Sequence, residues 1–189
     1  IPTSAPSHVP ETEALCDFAS ALTVKSRLSN GWSCTDSVPD IDVCLWTGVV
    51  CLGGYLPVIK LNVDGKRLVG TLPTSLGQLY GINTLQLQGN CLFGTLPSEL
   101  GTLTNILTIN LHKNSFVGTI PTSMGSLINA GYLSLSSNCL DGSVPSSLGS
   151  LSFAKFVFIQ SNCLSGTIPS SLGDLTVFLR GLTMRNNAL

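Results

Sequence analysis

Charged side chains are scarce in this chain of 189 residues. Asp, Glu, Lys and Arg together make up 10% of it, whereas soluble proteins average about 25%. The formal net charge of −1 offers no basic surface for nucleic acid or for an anionic membrane. The polar surface must therefore be built mainly from Ser, Thr, Asn and Gln.

Histidine is rare as well, and the common catalytic motifs do not occur. The 2 histidines, His8 and His112, exclude a histidine-rich metal site and leave few candidate bases. No nucleophile elbow, phosphate-binding loop or dinucleotide fingerprint occurs. Asp36, Asp40 and Asp42 crowd one loop, but their spacing fits no known calcium loop, so we interpret them as a solvated acidic loop. We therefore expect no enzyme activity, no metal and no cofactor.

The chain also lacks a membrane-spanning apolar run, an initiator Met, a signal peptide and any N-x-S/T glycosylation acceptor. Its 7 cysteines favour an oxidising compartment. We therefore expect a mature, secreted, extracellular chain with no membrane segment. Residues 1–10, IPTSAPSHVP, combine Pro, Ser and Thr and predict a flexible tail.

A period of 24 residues organises everything that follows Val58. The stretch INTLQLQGNCLFGTLPSELGTLTN (82–105) is followed by ILTINLHKNSFVGTIPTSMGSLIN (106–129), and both fit the frame LxxLxLxxNxLxGxLPxxLGxLxx. Five full blocks begin at Val58, Ile82, Ile106, Ala130 and Ala154, and an incomplete sixth runs from Leu179 to Leu189. A fixed period of this size predicts a solenoid.

Each position of the frame has a physical role. Apolar pairs such as Leu85 and Leu87 alternate with polar residues and predict one short strand per coil. Because one strand cannot bury its apolar face alone, the coils must stack around a shared core. The Asn after each strand predicts a column of amides that pair with the neighbouring loop backbone. This column contains Asn90, Asn114, Asn138, Asn162 and Asn187.

The recurring GTLP, GTIP and GSVP element with a following LG resembles plant-type leucine-rich repeats. These repeats occur in receptor-kinase ectodomains and in inhibitors of cell-wall polygalacturonases. The resemblance implies an α/β solenoid over residues 58–189, with one short parallel strand per coil. It identifies the fold but no particular partner.

Residues 11–57 resemble the N-terminal cap of the same family, which is a helix followed by CxWxGVxC. Cys44, Trp46, Gly48, Val49 and Cys51 match that motif position by position. The resemblance implies structural disulfides Cys44–Cys51 and Cys16–Cys34, although the family often has two adjacent cysteines where Leu45 follows a single one here. Such a cap covers the exposed edge of the first strand.

The outward side of the strands is the predicted binding surface. Tyr132, Phe156 and Phe158 gather at one end, where they either anchor a partner or shield the sheet edge. His112 is interpreted as an ordinary solvated residue, and Ser134 and Ser136 also point outward. The candidate binding residues are Gln86, Gln88, Asn110, His112, Lys113, Tyr132, Phe156, Phe158, Gln160 and Arg185.

Three further cysteines, Cys91, Cys139 and Cys163, follow the Asn of their coils and should form a column on one surface. Neighbouring coils lie about 4.8 Å apart, so a Cys139–Cys163 bridge is within reach but strained, whereas Cys91 is roughly 10 Å from Cys139. Because 7 is odd, at least one thiol is free or bonded to another chain. A small buried or half-buried filler is the alternative role.

Three functions compete. The first is a recognition module that binds a protein or glycan through its strand face, and we rank it first. The second is a structural subunit of an extracellular filament, wall or matrix, favoured by the low charge and the odd cysteine. The third is an inhibitor of a secreted wall-degrading enzyme. The open coil at Leu189 adds the expectation that further repeats cover it, or that the chain associates with itself through that end.

Overall fold

The protein is described by a computed structural model over residues 10–24, 28, 32–35, 38–39, 42–175 and 177–189. Most of the expected tail, with His8, lies outside these residues, as do Asp36 and Asp40. The boundaries drawn at 11–57 and 58–189 stay predictions.

One α-helix, α1 (Pro10–Ala21), precedes fourteen short strands in the described ranges. The strands are β1 (Leu22–Val24), β2 (Cys34–Thr35), β3 (Val38–Pro39), β4 (Val49–Leu52), β5 (Tyr55–Asn62), β6 (Val69–Gly70), β7 (Thr84–Gln86), β8 (Cys91–Thr95), β9 (Thr108–Asn110), β10 (Ser115–Thr119), β11 (Tyr132–Ser134), β12 (Cys139–Asp141), β13 (Phe156–Phe158) and β14 (Gly181–Thr183). Short 3₁₀ helices span Val43–Leu45, Thr74–Gln78, Ser98–Thr102, Thr122–Ser126, Ser146–Ser150 and Ser170–Asp174.

The predicted solenoid of one parallel strand per coil is confirmed. A seven-stranded sheet runs in the order β14-β13-β11-β9-β7-β5-β4, and its pairs are parallel except β4–β5. The register repeats from coil to coil, with Leu85 beside Ile109 and Ile109 beside Leu133. These inward side chains are fully buried and form one continuous core along the stack. We call the outward side of this sheet the strand face.

A second sheet, which the sequence analysis missed, lies after the Asn of each coil. It has the order β1-β6-β8-β10-β12. Leu92, Phe116 and Leu140 point inward and are fully buried, while their neighbours Cys91 and Phe93 are exposed. Alternation with a period of two is therefore present in the segment before the GxLP element as well.

The predicted Asn column is confirmed by its hydrogen bonds. The Asn138 amide donates to the carbonyls of Leu111 at 3.1 Å and Leu135 at 3.0 Å, and its Oδ1 accepts from the Phe116 N–H at 3.1 Å. Each side chain thus pairs backbone groups of two coils that would otherwise be buried without partners. The same pattern holds for Asn90, Asn114, Asn162 and Asn187.

The N-terminal elements cover the first edge of both sheets. Strand β4 pairs antiparallel with β5, and β1 pairs antiparallel with β6. Disulfides join Cys16 to Cys34 and Cys44 to Cys51, the pairs that the family resemblance implies. Short antiparallel strands thus cover the outer edges of β5 and β6 at this end of the two sheets, which limits edge-to-edge association.

Glu11 ties helix α1 to the first coils. Its carboxylate is buried and accepts hydrogen bonds from the backbone N–H groups of Val58 at 3.0 Å and Gly81 at 3.3 Å. The sequence pattern predicts no such role for an acidic residue at the helix start, because the contact joins positions far apart in the chain.

Candidate functional site

The candidate residues of the strand face differ in how far they reach solvent. Lys113 and Arg185 are exposed, and the other eight are half-buried. Gln160 is held in place because its Oε1 accepts a hydrogen bond from the Thr183 hydroxyl at 2.7 Å.

The interpretation of His112 as an ordinary solvated residue was wrong, and the two serines beside it point outward but are shielded. His112 is half-buried, and its Nδ1 lies 2.8 Å from the Ser136 hydroxyl and 3.1 Å from the Ser136 carbonyl oxygen. Ser134 and Ser136 are only 2% exposed. By register, Ser134 lies between Asn110 and Phe158, so the larger neighbours shield a small side chain that points outward.

The three predicted aromatic residues do form one cluster. The ring centroid of Tyr132 lies 6.3 Å from that of Phe156 and 5.7 Å from that of Phe158, and the two Phe rings are 5.8 Å apart. Gly181 follows in the next coil, and a side chain there would meet Phe156 Cδ1 at 3.1 Å. The missing side chain at Gly181 therefore gives the Phe156 ring room beside β14.

This cluster borders an apolar groove, which runs past the N-terminal ends of β9, β11 and β13. It encloses about 610 Å³. Phe153 and Phe178 stack in it with centroids 5.5 Å apart, although both are exposed to solvent. We call it the aromatic groove and define it by Leu107, Tyr132, Phe153, Lys155, Phe156 and Phe178, with Thr108, Asn129 and Gly131 completing its lining.

Half of this groove lies outside the strand positions from which the binding surface is predicted. Phe153 and Phe178 occupy the frame position that holds Asn105 and Asn129 in earlier coils. Those Asn side chains donate to backbone carbonyls of the preceding coil, Tyr80 and Thr104, each at 2.9 Å. The sequence signal for this half of the groove is therefore a Phe in two coils at the position where earlier coils have a structural Asn.

Positive charge gathers beside the groove. Lys155 and Arg180 occupy equivalent positions in adjacent coils, and the Lys155 carbonyl accepts the Arg180 N–H at 2.8 Å. The only carboxylate side chains from residue 82 onward are Glu99, Asp141 and Asp174. Glu99 and Asp174 lie in 3₁₀ helices at the back of the coils, and Asp141 lies on the second sheet. The strand face of these coils thus carries cations without neighbouring carboxylates.

The three remaining cysteines belong to a different surface. Cys91 begins β8, Cys139 begins β12, and Cys163 follows at the equivalent position of the next coil. All three are free and exposed. The Cys139–Cys163 bridge is therefore absent from the structure, and the alternative role of a buried or half-buried filler was wrong.

A column of hydroxyl residues runs along the edge of the second sheet. It contains Thr71, Thr95, Thr119, Ser143 and Thr167. Side chains placed at Gly94 and Gly118 would meet the methyl groups of Thr71 and Thr95 at 3.2 and 3.1 Å. The methyl groups of Thr71 and Thr95 thus lie over the glycines of the next coil, and the same residue position recurs in each coil.

The described ranges contain neither a metal-binding cluster nor a membrane-spanning helix. No cluster of three or more His, Cys, Asp or Glu residues there is arranged to hold a metal ion. Among the helices described, none has the length and apolar content needed to cross a bilayer.

Comparison with known proteins places this geometry in context. Residues 131–151 match the family model described as Leucine Rich Repeat. Phytosulfokine receptor 1 of Arabidopsis thaliana is 37% identical over 84 residues, which cover 44% of this chain and 8% of that protein. The chain spans less than a tenth of the length of the curated relatives that it matches, covering 8% and 7% of them.

Solved structures match over much more of the chain. A chain in the crystal structure of the BIR3–SERK2 complex from Arabidopsis thaliana is 32% identical, with a TM-score of 0.77 and coverage of 92% of each chain. A plant ice-binding protein is 26% identical, with a TM-score of 0.79, over 94% of this chain and 56% of that chain. Because this similarity extends along nearly the whole stack and its first strands, and the repeat frame predicts the same fold, the chain belongs to the plant-type leucine-rich repeat proteins.

Proposed function

We propose that the chain is a non-catalytic, extracellular recognition module that binds a protein partner through its strand face. The observation that carries this proposal is the aromatic groove. Contiguous exposed apolar surface on a soluble protein is typical of an interaction site, and aromatic residues dominate the energetics of such sites.

The architecture supports the same function. The strand face is rigid, because its outward residues sit on a hydrogen-bonded sheet above a fully buried core. A rigid surface loses little conformational entropy on binding. Among the similar proteins, one is a receptor and another forms part of a complex between two proteins. The disulfides favour an extracellular compartment.

A matched pair of phenylalanines tests where a partner binds. Phe178 in the groove is 45% exposed, and Phe93 on the second sheet is 44% exposed, so neither is needed for the core. Peptides selected on the chain from an unbiased displayed library should bind Phe178→Ser about tenfold or more weakly. They should bind Phe93→Ser as tightly as the unmodified chain. The opposite ranking, or a library that yields no binder, would overturn the proposal.

Ice binding is a second candidate, because the threonine column presents regularly spaced hydroxyls on a surface with little charge, and a plant ice-binding protein shares the fold. In this case the chain should stop ice crystals from growing at temperatures slightly below their melting point. Thr95→Lys and Thr119→Lys should abolish the effect, whereas Phe178→Ser should preserve it. An unmodified chain without effect on ice growth excludes this candidate.

A further inference from the structure

The lining of the aromatic groove is mostly apolar with few polar side chains, and this limits the chemical classes of partner that it can bind. Its apolar wall is formed by Leu107, Tyr132, Phe153, Phe156 and Phe178. Its polar lining is limited to Thr108, Asn129 and Lys155. A ligand with many hydroxyl groups would lose hydration there without gaining enough hydrogen bonds. An apolar side chain suits the groove better than a sugar ring.

The charges around the groove have one sign. Lys155 lies in its wall, Arg180 follows in the next coil, and Arg185 is exposed further along the strand face. Among the residues that the structure describes, neither Lys155 nor Arg180 forms a salt bridge. The carboxylates of these coils lie on the other surfaces of the stack. A ligand with carboxylates next to its apolar group would therefore meet complementary charge.

We propose, building on the recognition function above, that the aromatic groove binds an acidic peptide segment in which an aromatic or large aliphatic side chain lies beside Asp or Glu. The apolar side chain enters between Phe153, Phe156 and Phe178. The flanking carboxylates pair with Lys155 and Arg180 at the rim. The first contact supplies most of the affinity, and the second selects against basic and neutral segments.

The test separates charge selectivity from binding itself. Random peptides are selected in parallel on the unmodified chain and on the double variant Lys155→Glu, Arg180→Glu. The unmodified chain should enrich peptides that carry Asp or Glu next to Phe, Tyr, Trp or Leu. The double variant should bind those peptides about tenfold or more weakly and should enrich basic residues at the same places.

A matched double variant controls for the overall change in charge. Lys60→Glu, Arg67→Glu alters the net charge by the same amount at the other end of the stack and should leave the enriched sequences unchanged. Binding of the acidic peptides should also weaken between about 0.1 and 1 M salt, where the Debye length falls from about 10 to 3 Å. Salt-independent binding would contradict the pairing with Lys155 and Arg180.

The outcomes distinguish this inference from the proposed function. Binders that lose affinity for Phe178→Ser but show no acidic enrichment overturn the charge selectivity and leave the recognition function in place. A uronic-acid oligosaccharide that binds with the same dependence on Lys155 and Arg180, while acidic peptides do not, overturns the peptide assignment in favour of a glycan. A library without any binder overturns both.

Discussion

At the scale of single residues, the stack depends on side chains that form hydrogen bonds with backbone groups of a neighbouring coil. The Asn column does this inside, and hydroxyl groups do it at the back, where Ser123 donates to the Ser98 carbonyl at 2.6 Å and Ser147 to the Thr122 carbonyl at 2.7 Å. Part of the Ser and Thr content is thus structural, which the low charge alone did not reveal.

The central Asn gives the clearest prediction at this scale. Asn138→Ala removes the side-chain oxygen that accepts from the Phe116 N–H and the amide that donates to the Leu111 and Leu135 carbonyls. Buried backbone groups in two coils then lose their hydrogen-bond partner. The free energy of unfolding should fall by about 1–3 kcal/mol for each group left unpaired, and water that enters the gap will reduce the total. Ser115→Ala, at an exposed outward position, should be nearly neutral. Equal denaturant midpoints for the two variants would contradict the role of the Asn column.

The element that sets the distance between coils is the short 3₁₀ helix at the back. A side chain at Gly101 would clash with the Ser123 carbonyl oxygen, because the next coil packs directly against this helix. Gly173 has the same place in the last of these helices, yet nothing lies within 4 Å of a side chain there. The glycine of the LG pair is thus required where another coil packs against it.

These two glycines provide a matched experiment. Gly101→Ala should force neighbouring coils apart and lower the free energy of unfolding by about 1–3 kcal/mol. Gly173→Ala should leave stability unchanged or raise it by about 0.4–1 kcal/mol, because alanine restricts the unfolded chain more than glycine does. Thermal or denaturant unfolding measures both. Similar losses in the two variants would show that backbone propensity, and not packing between coils, explains the glycines.

The sequence predicts elements that repeat and misses contacts that occur once. The strands of the first sheet and the Asn column can be predicted from the period of 24 residues, because the same residue pattern recurs in every coil. Glu11 bonds to Val58 and Gly81 only here, and no period indicates such a contact. The aromatic groove lies between these cases, since Tyr132 and Phe156 were read from the strands while Phe153 and Phe178 depart from the frame.

At the scale of the whole molecule, the two sheets present different chemistry to solvent. The strand face carries the aromatic groove and the cations beside it. The second sheet carries the free thiols of Cys91 and Cys139 and the exposed side chains Phe93 and Val117, and the exposed thiol of Cys163 follows beside β12. A recognition module needs only the first surface, whereas a structural subunit needs contacts that repeat between copies, such as bonds through the thiols.

Oligomeric state with and without reductant separates these two functions. Under reducing conditions the chain should behave as a monomer of 19.8 kDa. Oxidation should join some copies through Cys91, Cys139 or Cys163, because exposed thiols without disulfide partners are free to react. The triple variant Cys91→Ser, Cys139→Ser, Cys163→Ser should then stay monomeric in both conditions and keep its affinity for peptides selected on the strand face. Light scattering after size-exclusion chromatography measures the mass. Filaments formed by the triple variant in the presence of reductant would contradict the recognition module and favour the structural subunit.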